Sequence, residues 1–394
     1  MNVNSAALAQ AGITPGTEIE GIARFENGEP TGELQEFAAM FPISRLTGNI
    51  FRVAGTTEQS LRLFGQIAQL AGVTAATDLV NDLSDENAQV LQKVTAEADF
   101  PVRLVPAYIG LDGTMSRDAG AARVTSRAAA NTDKLHFGLV KIVTDGSIQG
   151  FTARVRWPGY YNGHENGIWI QPPAELKATI AHFHAAGFQL HIHTNGDEAT
   201  ELALDGIEAA LAAHPRADHR HTLQHCQMAD AAQFRRMSKL GICANLFANH
   251  IYYWGDAHHA LTMGPDRAER MDACATALAH GVPLAIHSDA PITPLGPMFT
   301  AWCAVNRLTS SGRVLGASER IPVADALRAI TLGAAYTLRL DDRVGSIEVG
   351  KYADFCVLDE DPLAAKPEAL KDLRIAGTVL GGRALALPGS AGVR

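Results

Sequence analysis

The stretch QLHIHTNGDEA, residues 189–199, places two histidines one residue apart at the end of an apolar run. Residues i and i+2 of a β-strand face the same way, so His191 and His193 could point at one target. A polar Asn-Gly-Asp turn follows, and a helical pattern begins at residue 198. A buried strand that ends in polar residues and continues into a helix is typical of a parallel βα unit.

The same pattern recurs along most of the chain. The predicted strands span residues 72–80, 102–110, 137–147, 188–197, 221–226, 241–249 and 282–289. The predicted helices span residues 56–71, 84–98, 174–186, 198–213, 230–239, 267–280 and 323–338. Seven mostly apolar strands that alternate with helices predict an α/β fold with parallel βα units, one unit short of a (β/α)8 barrel.

The two ends of the chain differ from this pattern. Residues 1–45 are rich in turn residues and are interpreted as part of an inserted lobe. Residues 341–394 contain short strand patterns separated by glycine turns, which predict a small β-module. We therefore expect three parts, with a TIM-type barrel over residues 46–340 between the lobe and the module.

Composition limits the kind of partner. The 394 residues carry a net charge of −9, which disfavours nucleic acid and anionic membranes as partners. No apolar stretch approaches the ~20 residues that span a bilayer, and no secretory signal is visible at the start. The five cysteines form no C-x-x-C pair, so we expect reduced thiols and a cytoplasmic location.

Polar residues stand at the ends of the predicted strands, where the reacting groups of βα-barrels lie. They are Lys141, His193, His225, Asn249 and Asp289. Neutral imidazoles suit zinc and similar metals, although a single histidine at a strand end is more often structural.

Two of these positions leave alternatives open. Lys141 lies in an apolar run and is either a strand-edge lysine reaching solvent or a lysine carboxylated by CO2 that bridges two metal ions. Asp289 is either a turn cap or a metal ligand that carries protons. His287, two residues before Asp289, faces the same side and is expected to support the substrate.

The segments VKIVTDGS, HIHTNGDEA, TLQHCQ and IHSDAPITP, with the tail GSIEVGKYADFCVLDEDP, together resemble the amidohydrolase superfamily. They are most similar to amidohydrolase family 3, the group of N-substituted formamide deformylase-like enzymes, and the similarity spans essentially the whole chain. The resemblance implies a (β/α)8 barrel with a composite β-sandwich that hydrolyses amide-like C–N bonds with one or two divalent metal ions. It implies that Lys141 is the carboxylated bridging lysine and that His193 and His225 are metal ligands. Asp289 would bind metal and act as general base and acid.

One element of the family pattern is absent from this sequence. The family begins with sandwich strands and a first barrel strand that ends in an H-x-H pair of metal ligands. We therefore expect an N-terminally truncated member, with residues 1–45 as the remnant of the insertion lobe. The barrel would lack its first strand and keep an open edge, and a second metal site would be weakened or abolished.

The predicted function is hydrolysis of a non-peptide C–N bond in a small molecule by metal-activated water, with zinc as the expected metal. His191 and Asp197 are expected to hold the orientation of the His193 ring without binding the metal themselves. Asn249 is expected to lie near the substrate. Two alternatives are a catalytically impaired remnant of such an enzyme and a deaminase of the same superfamily. We also allow for a homo-oligomer.

Overall fold

A small lobe with its own apolar core precedes the main sheet. The computed structural model describes residues 1–47, 57–111, 115–385 and 387. Helices α1 (Ser5–Gln10) and α2 (Glu36–Thr47) pack against a hairpin of β1 (Ile22–Arg24) and β2 (Pro30–Leu34). These helices and strands were not predicted, because the sequence of this part is rich in turn residues. Helix α2 continues beyond residue 45, where the lobe was expected to end.

Seven parallel strands form a curled sheet whose spatial order is the order of the chain. They are β3 (Ala75–Asn81), β4 (Arg103–Ile109), β5 (Leu139–Val143), β6 (Gln189–Thr194), β7 (Thr222–His225), β8 (Cys243–Leu246) and β9 (Leu284–Ile286). Every residue of β5, β7 and β9 is buried, as expected for parallel strands covered on both faces. Within the described residues, β3 and β9 are the edges and do not pair with each other. The predicted α/β barrel-type sheet of seven strands is confirmed.

Helices connect the strands and cover the sheet. They are α3 (Glu58–Leu70), α4 (Asp85–Thr95), α5 (Arg117–Ala128), α6 (Pro173–Ala185), α7 (Asp197–Ala213), α8 (Ala231–Leu240), α9 (Asn249–Ala257), α10 (Gly264–Ala268), α11 (Cys274–Ala279), α12 (Pro297–Asn306), α13 (Val323–Arg328) and α14 (Ala334–Thr337). The sequence at α8 shows why such a helix has sharp ends. Asp230 and Gln233 form a capping box at its start, and Gly241 ends it in the left-handed conformation.

Some helices differ from the prediction. Helices α5, α9 and α12 were not predicted. The helix predicted over 267–280 is two helices, because Asp272 adopts a φ of 47° between them. The helix predicted over 323–338 contains a π-helical turn at Ala329–Gly333.

The C-terminal part is an antiparallel sheet of three strands. They are β10 (Phe355–Leu358), β11 (Ile375–Leu380) and β12 (Arg383–Leu385). Arg103 at the start of β4 reaches Asp354 over 2.6 Å, and both side chains are 3% exposed. This ion pair joins the module to the main sheet. None of the described helices is long and apolar enough to cross a membrane.

Candidate metal centre and active site

Two predicted histidines meet at the carboxyl edge of the sheet. In the register of β6 and β7, Thr194 pairs with His225, one residue beyond His193. The rings of His193 and His225 lie 4.5 Å apart, with their planes at 71°. His225 ends its strand with a φ of 72°, which turns the chain out of the sheet. The structure thus brings these two predicted site residues together.

A second group involves the segment after β9. His225, His287 and Asp289 each place one ligand atom within 4.8 Å of the others. Nδ1 of His225 and Nε2 of His287 are buried and have no hydrogen-bond partner. Leaving buried polar atoms unpaired is costly, so these nitrogens require a further group. Two imidazoles and one carboxylate are a donor set that binds divalent metals, and these residues therefore fit a metal ion.

Lys141 lies beneath this group, in the middle of β5. It is 4% exposed, so the interpretation of a strand-edge lysine reaching solvent is wrong. Burial lowers the pKa of Lys141 to about 8, and the nearby Asp289 carboxylate opposes that shift. Burial also raises the pKa of Asp289, and the Lys141 ammonium opposes this change in turn. The charges of Lys141 and Asp289 thus each shift the pKa of the other group.

The His193 ring is held by the segment that follows β5. Its Nε2 lies 3.2 Å from the Gly146 carbonyl and 3.2 Å from the amide nitrogen of Asn195. The nearest carboxylate is that of Asp145, at 3.5 Å. Burial lowers the pKa of His193 to about 3, so the ring is neutral near neutral pH.

Asp145 is a site residue that the sequence reasoning missed. Its buried carboxylate accepts backbone N–H bonds from Asn195 at 3.0 Å, Gly196 at 2.9 Å and Arg154 at 3.0 Å. Burial raises its pKa to about 7, and these three N–H groups oppose the shift. A Cβ on Gly196 would lie 1.7 Å from the Arg154 carbonyl oxygen, so the close approach requires glycine. Asp145 therefore fixes the end of β5 to the end of β6.

Two residues expected to orient His193 make other contacts. The His191 ring accepts a bond from Gln224 at Nδ1 and donates from Nε2 to the Thr337 carbonyl, at 2.7 and 2.9 Å. The Asp197 carboxylate accepts the Arg156 backbone N–H at 2.8 Å and faces Arg267 at 3.7 Å. Both side chains are thus used elsewhere, and Asp145 and Asn195 contact His193 instead.

Asn249 is not a strand-end residue, because β8 ends at Leu246 and Asn249 begins α9. Its side-chain amide donates to Thr293 Oγ1 at 2.9 Å. Its Oδ1 is buried and has no hydrogen-bond partner. Asn249 therefore contacts the loop that follows Asp289.

A chain of buried histidines beside the centre was also missed. The His250 ring lies 5.1 Å from that of Phe247, which in turn stacks on His287 at 5.1 Å. His250 bonds to His258 at 2.9 Å and to the side-chain oxygen of Gln149 at 3.1 Å. The chain connects α9 to the loop after β5. The only sequence signal was the high count of 15 histidines.

A curled parallel sheet with imidazoles and a carboxylate at its carboxyl edge is typical of metal-dependent hydrolases that are built on a βα-barrel. The sequence profile of the amidohydrolase family matches residues 1–386, and the chain belongs to that family. This finding confirms the resemblance drawn from the motifs.

Individual relatives agree with the family assignment. The chain is 29% identical to the protein YtcJ of Bacillus subtilis (strain 168), over 97% of this chain and 71% of YtcJ. It is 27% identical to the N-substituted formamide deformylase of Arthrobacter pascens, over 96% of this chain and 70% of that protein. An uncharacterized metal-dependent hydrolase from Pyrococcus horikoshii OT3 shares the fold, with a TM-score of 0.69 at 20% identity. The match covers 93% of this chain and 70% of that structure.

Proposed function

We propose that this amidohydrolase cleaves an amide-like C–N bond of a small molecule with the help of a bound zinc ion. The observation that carries the proposal is that the ligand atoms of His225, His287 and Asp289 lie close together. A buried nitrogen of each histidine has no hydrogen-bond partner. Zinc, when bound, supplies a Lewis acid and lowers the pKa of a coordinated water towards about 7. His193, His225, Asp289 and a modified Lys141 are the proposed ligand set.

Asp289 is the proposed general base and acid. Its carboxylate lies at the carboxyl edge of the sheet, and burial raises its pKa above the ordinary value. A carboxylate with a raised pKa accepts a proton from water more readily, and as an acid it returns that proton to the leaving amine. Among the three described residues His225, His287 and Asp289, only Asp289 carries a carboxylate.

Lys141 is the proposed carbamate. An amine whose pKa is about 8 is neutral more often at neutral pH than an ordinary lysine. The neutral nitrogen adds to the carbon of CO2 and releases one proton to solvent, which leaves an anionic carbamate. This reaction would replace a buried cation with an oxygen ligand beside the imidazoles and remove the repulsion between the ammonium and a metal ion.

N-substituted formamides are the substrate class to examine first. The support is the 27% identity with the deformylase of Arthrobacter pascens, over nearly the whole chain. An N-alkylformamide also matches the proposed chemistry, because its cleavage yields formate and a free amine.

The test is hydrolysis of an N-alkylformamide by protein grown with zinc, with formate and amine measured together. We expect equal amounts of the two products, loss of activity after chelation and recovery on adding zinc. His225→Ala is the inactive comparison. Zinc-loaded protein that cleaves no amide-like substrate would favour the impaired alternative, and release of ammonia from an aminated ring would favour the deaminase.

A further inference from the structure

We propose that His287 is a direct metal ligand, together with His225 and Asp289. The sequence suggested only that His287 supports the substrate. The inference rests on the proposed function in one respect, namely that a metal ion binds at this edge of the sheet.

The backbone and the ring of His287 are both fixed. Its N–H donates to the Leu246 carbonyl at 3.0 Å, which continues the pairing of β8 with β9 by one residue. Its ring stacks on Phe247 with centroids 5.1 Å apart and planes at 23°. The ring is therefore held in place by an apolar neighbour that offers no hydrogen bond, and its Nε2 remains without a partner.

The His287 ring also points towards the other donors. It lies 4.9 Å from the His225 ring, and one ligand atom of each falls within 4.8 Å of an Asp289 oxygen. The geometry thus provides two imidazoles and one carboxylate around a common point.

His193 differs from these two histidines in its hydrogen bonding. Its Nε2 already contacts the Gly146 carbonyl and the Asn195 amide, both at 3.2 Å. His225 and His287 instead each have a buried nitrogen with no partner. His225, His287 and Asp289 are therefore the donors whose ligand atoms lie close together. His193 keeps its proposed place beside them, because a metal-binding histidine commonly hydrogen-bonds to a carbonyl through its other ring nitrogen.

A substrate-contacting role predicts a different outcome from ligation. If His287 only contacts substrate, its replacement changes KM and leaves metal affinity unchanged. If it is a ligand, its replacement weakens metal binding even when no substrate is present. Metal affinity is measurable without any assay of hydrolysis, so a failure of this inference can be distinguished from a failure of the proposed hydrolysis.

The first experiment is a cobalt titration of His287→Cys. We expect a near-ultraviolet thiolate-to-cobalt charge-transfer band that the wild-type protein lacks, since a cysteine at a ligand position binds cobalt through sulfur. His191→Cys is the matched control, because both His191 ring nitrogens are hydrogen-bonded inside the sheet. A band in the His191 variant alone, or in neither variant, would overturn the inference.

The second experiment measures zinc affinity of His287→Asn by competition with a chelator. Loss of a residue that only supports a metal ligand typically costs about 10–100-fold in affinity, so for a direct ligand we expect a loss of more than about 100-fold. Circular dichroism of the metal-free variant checks that it folds. An affinity within about twofold of wild type would overturn the inference, while a wild type that binds zinc without hydrolysing amides would count against the proposed function alone.

Discussion

The side-chain amide of Gln224 donates a hydrogen bond to Nδ1 of His191 over 2.7 Å. The other His191 nitrogen donates to the Thr337 carbonyl, so the ring has no nitrogen left for a metal. The two histidines of the HIH sequence share a face of β6 but serve different purposes. His191 closes a network inside the barrel, and His193 lies beside His225 at its edge.

Replacing His191 by alanine is therefore expected to leave zinc affinity within about twofold of wild type. The same change leaves the buried Gln224 amide without its acceptor, at a cost of about 1–3 kcal/mol in the free energy of unfolding, while the Thr337 carbonyl keeps its bond from Gln189 at 2.8 Å. Chelator competition and urea denaturation measure the two effects. A tenfold loss of zinc affinity would instead identify His191 as a ligand.

Asp289→Asn is expected to lower kcat/KM by at least about 100-fold, because the amide cannot take up the proton of the attacking water. The control is Asp205→Asn on helix α7, where the carboxylate pairs with Lys177 and Arg236 at the surface. Retention of more than a tenth of wild-type activity in Asp289→Asn would remove Asp289 from its proposed role.

Asp145→Asn is expected to lower the free energy of unfolding by about 1–3 kcal/mol, because an amide NH2 would face one of the three backbone N–H donors. The loop beside His193 would loosen, so kcat should fall as well. Asp99→Asn, at an exposed position, is the control. Equal urea midpoints for Asp145→Asn and wild type would show that the three N–H contacts are dispensable.

Stability should fall in mild acid because of a second histidine cluster, between helix α6 and the segment that leads into β7. His184 Nδ1 and His221 Nε2 lie 2.8 Å apart, and the His221 backbone N–H donates to His219. Burial lowers the pKa of all three histidines below the ordinary 6.5. The unfolded chain therefore binds more protons than the folded chain below pH 6.5, and the stability provided by the neutral rings is lost as pH falls.

This linkage amounts to about 1.4 kcal/mol per pH unit for each ring that stays neutral in the folded protein. We expect His221→Gln to reduce the pH dependence of unfolding by about one such contribution between about pH 5 and pH 6.5. Urea unfolding at several pH values measures it. Identical slopes for the variant and wild type would show that His221 does not stay neutral.

The sheet could be predicted because seven apolar runs recur with helices between them, and parallel strands must be buried on both faces. Strand ends were less predictable. The run over 241–249 reads as one strand, yet the chain leaves the sheet at Leu246 and enters α9. Helix α5 was missed because only Gly120 and Val124 among its residues are buried, which leaves little apolar pattern to detect.

The candidate site divides in the same way. His193 and His225 were identifiable because they end buried strands, and the topology brings such ends together. The contacts of Asp145 with Asn195 and Gly196 depend on the path of two loops, which apolar periodicity does not encode. The sequence placed His287 near the site, but only the structure shows that the residues around its ring leave Nε2 without a hydrogen-bond partner.

The most direct test of the metal centre is elemental analysis of protein grown with zinc and passed through gel filtration. We expect about one zinc ion per chain for wild type, and below about 0.2 for a variant carrying both His225→Ala and Asp289→Ala, since loss of deprotonated ligands removes the site. Wild-type protein with less than about 0.2 metal ions per chain would contradict the central claim that this edge of the sheet binds a metal.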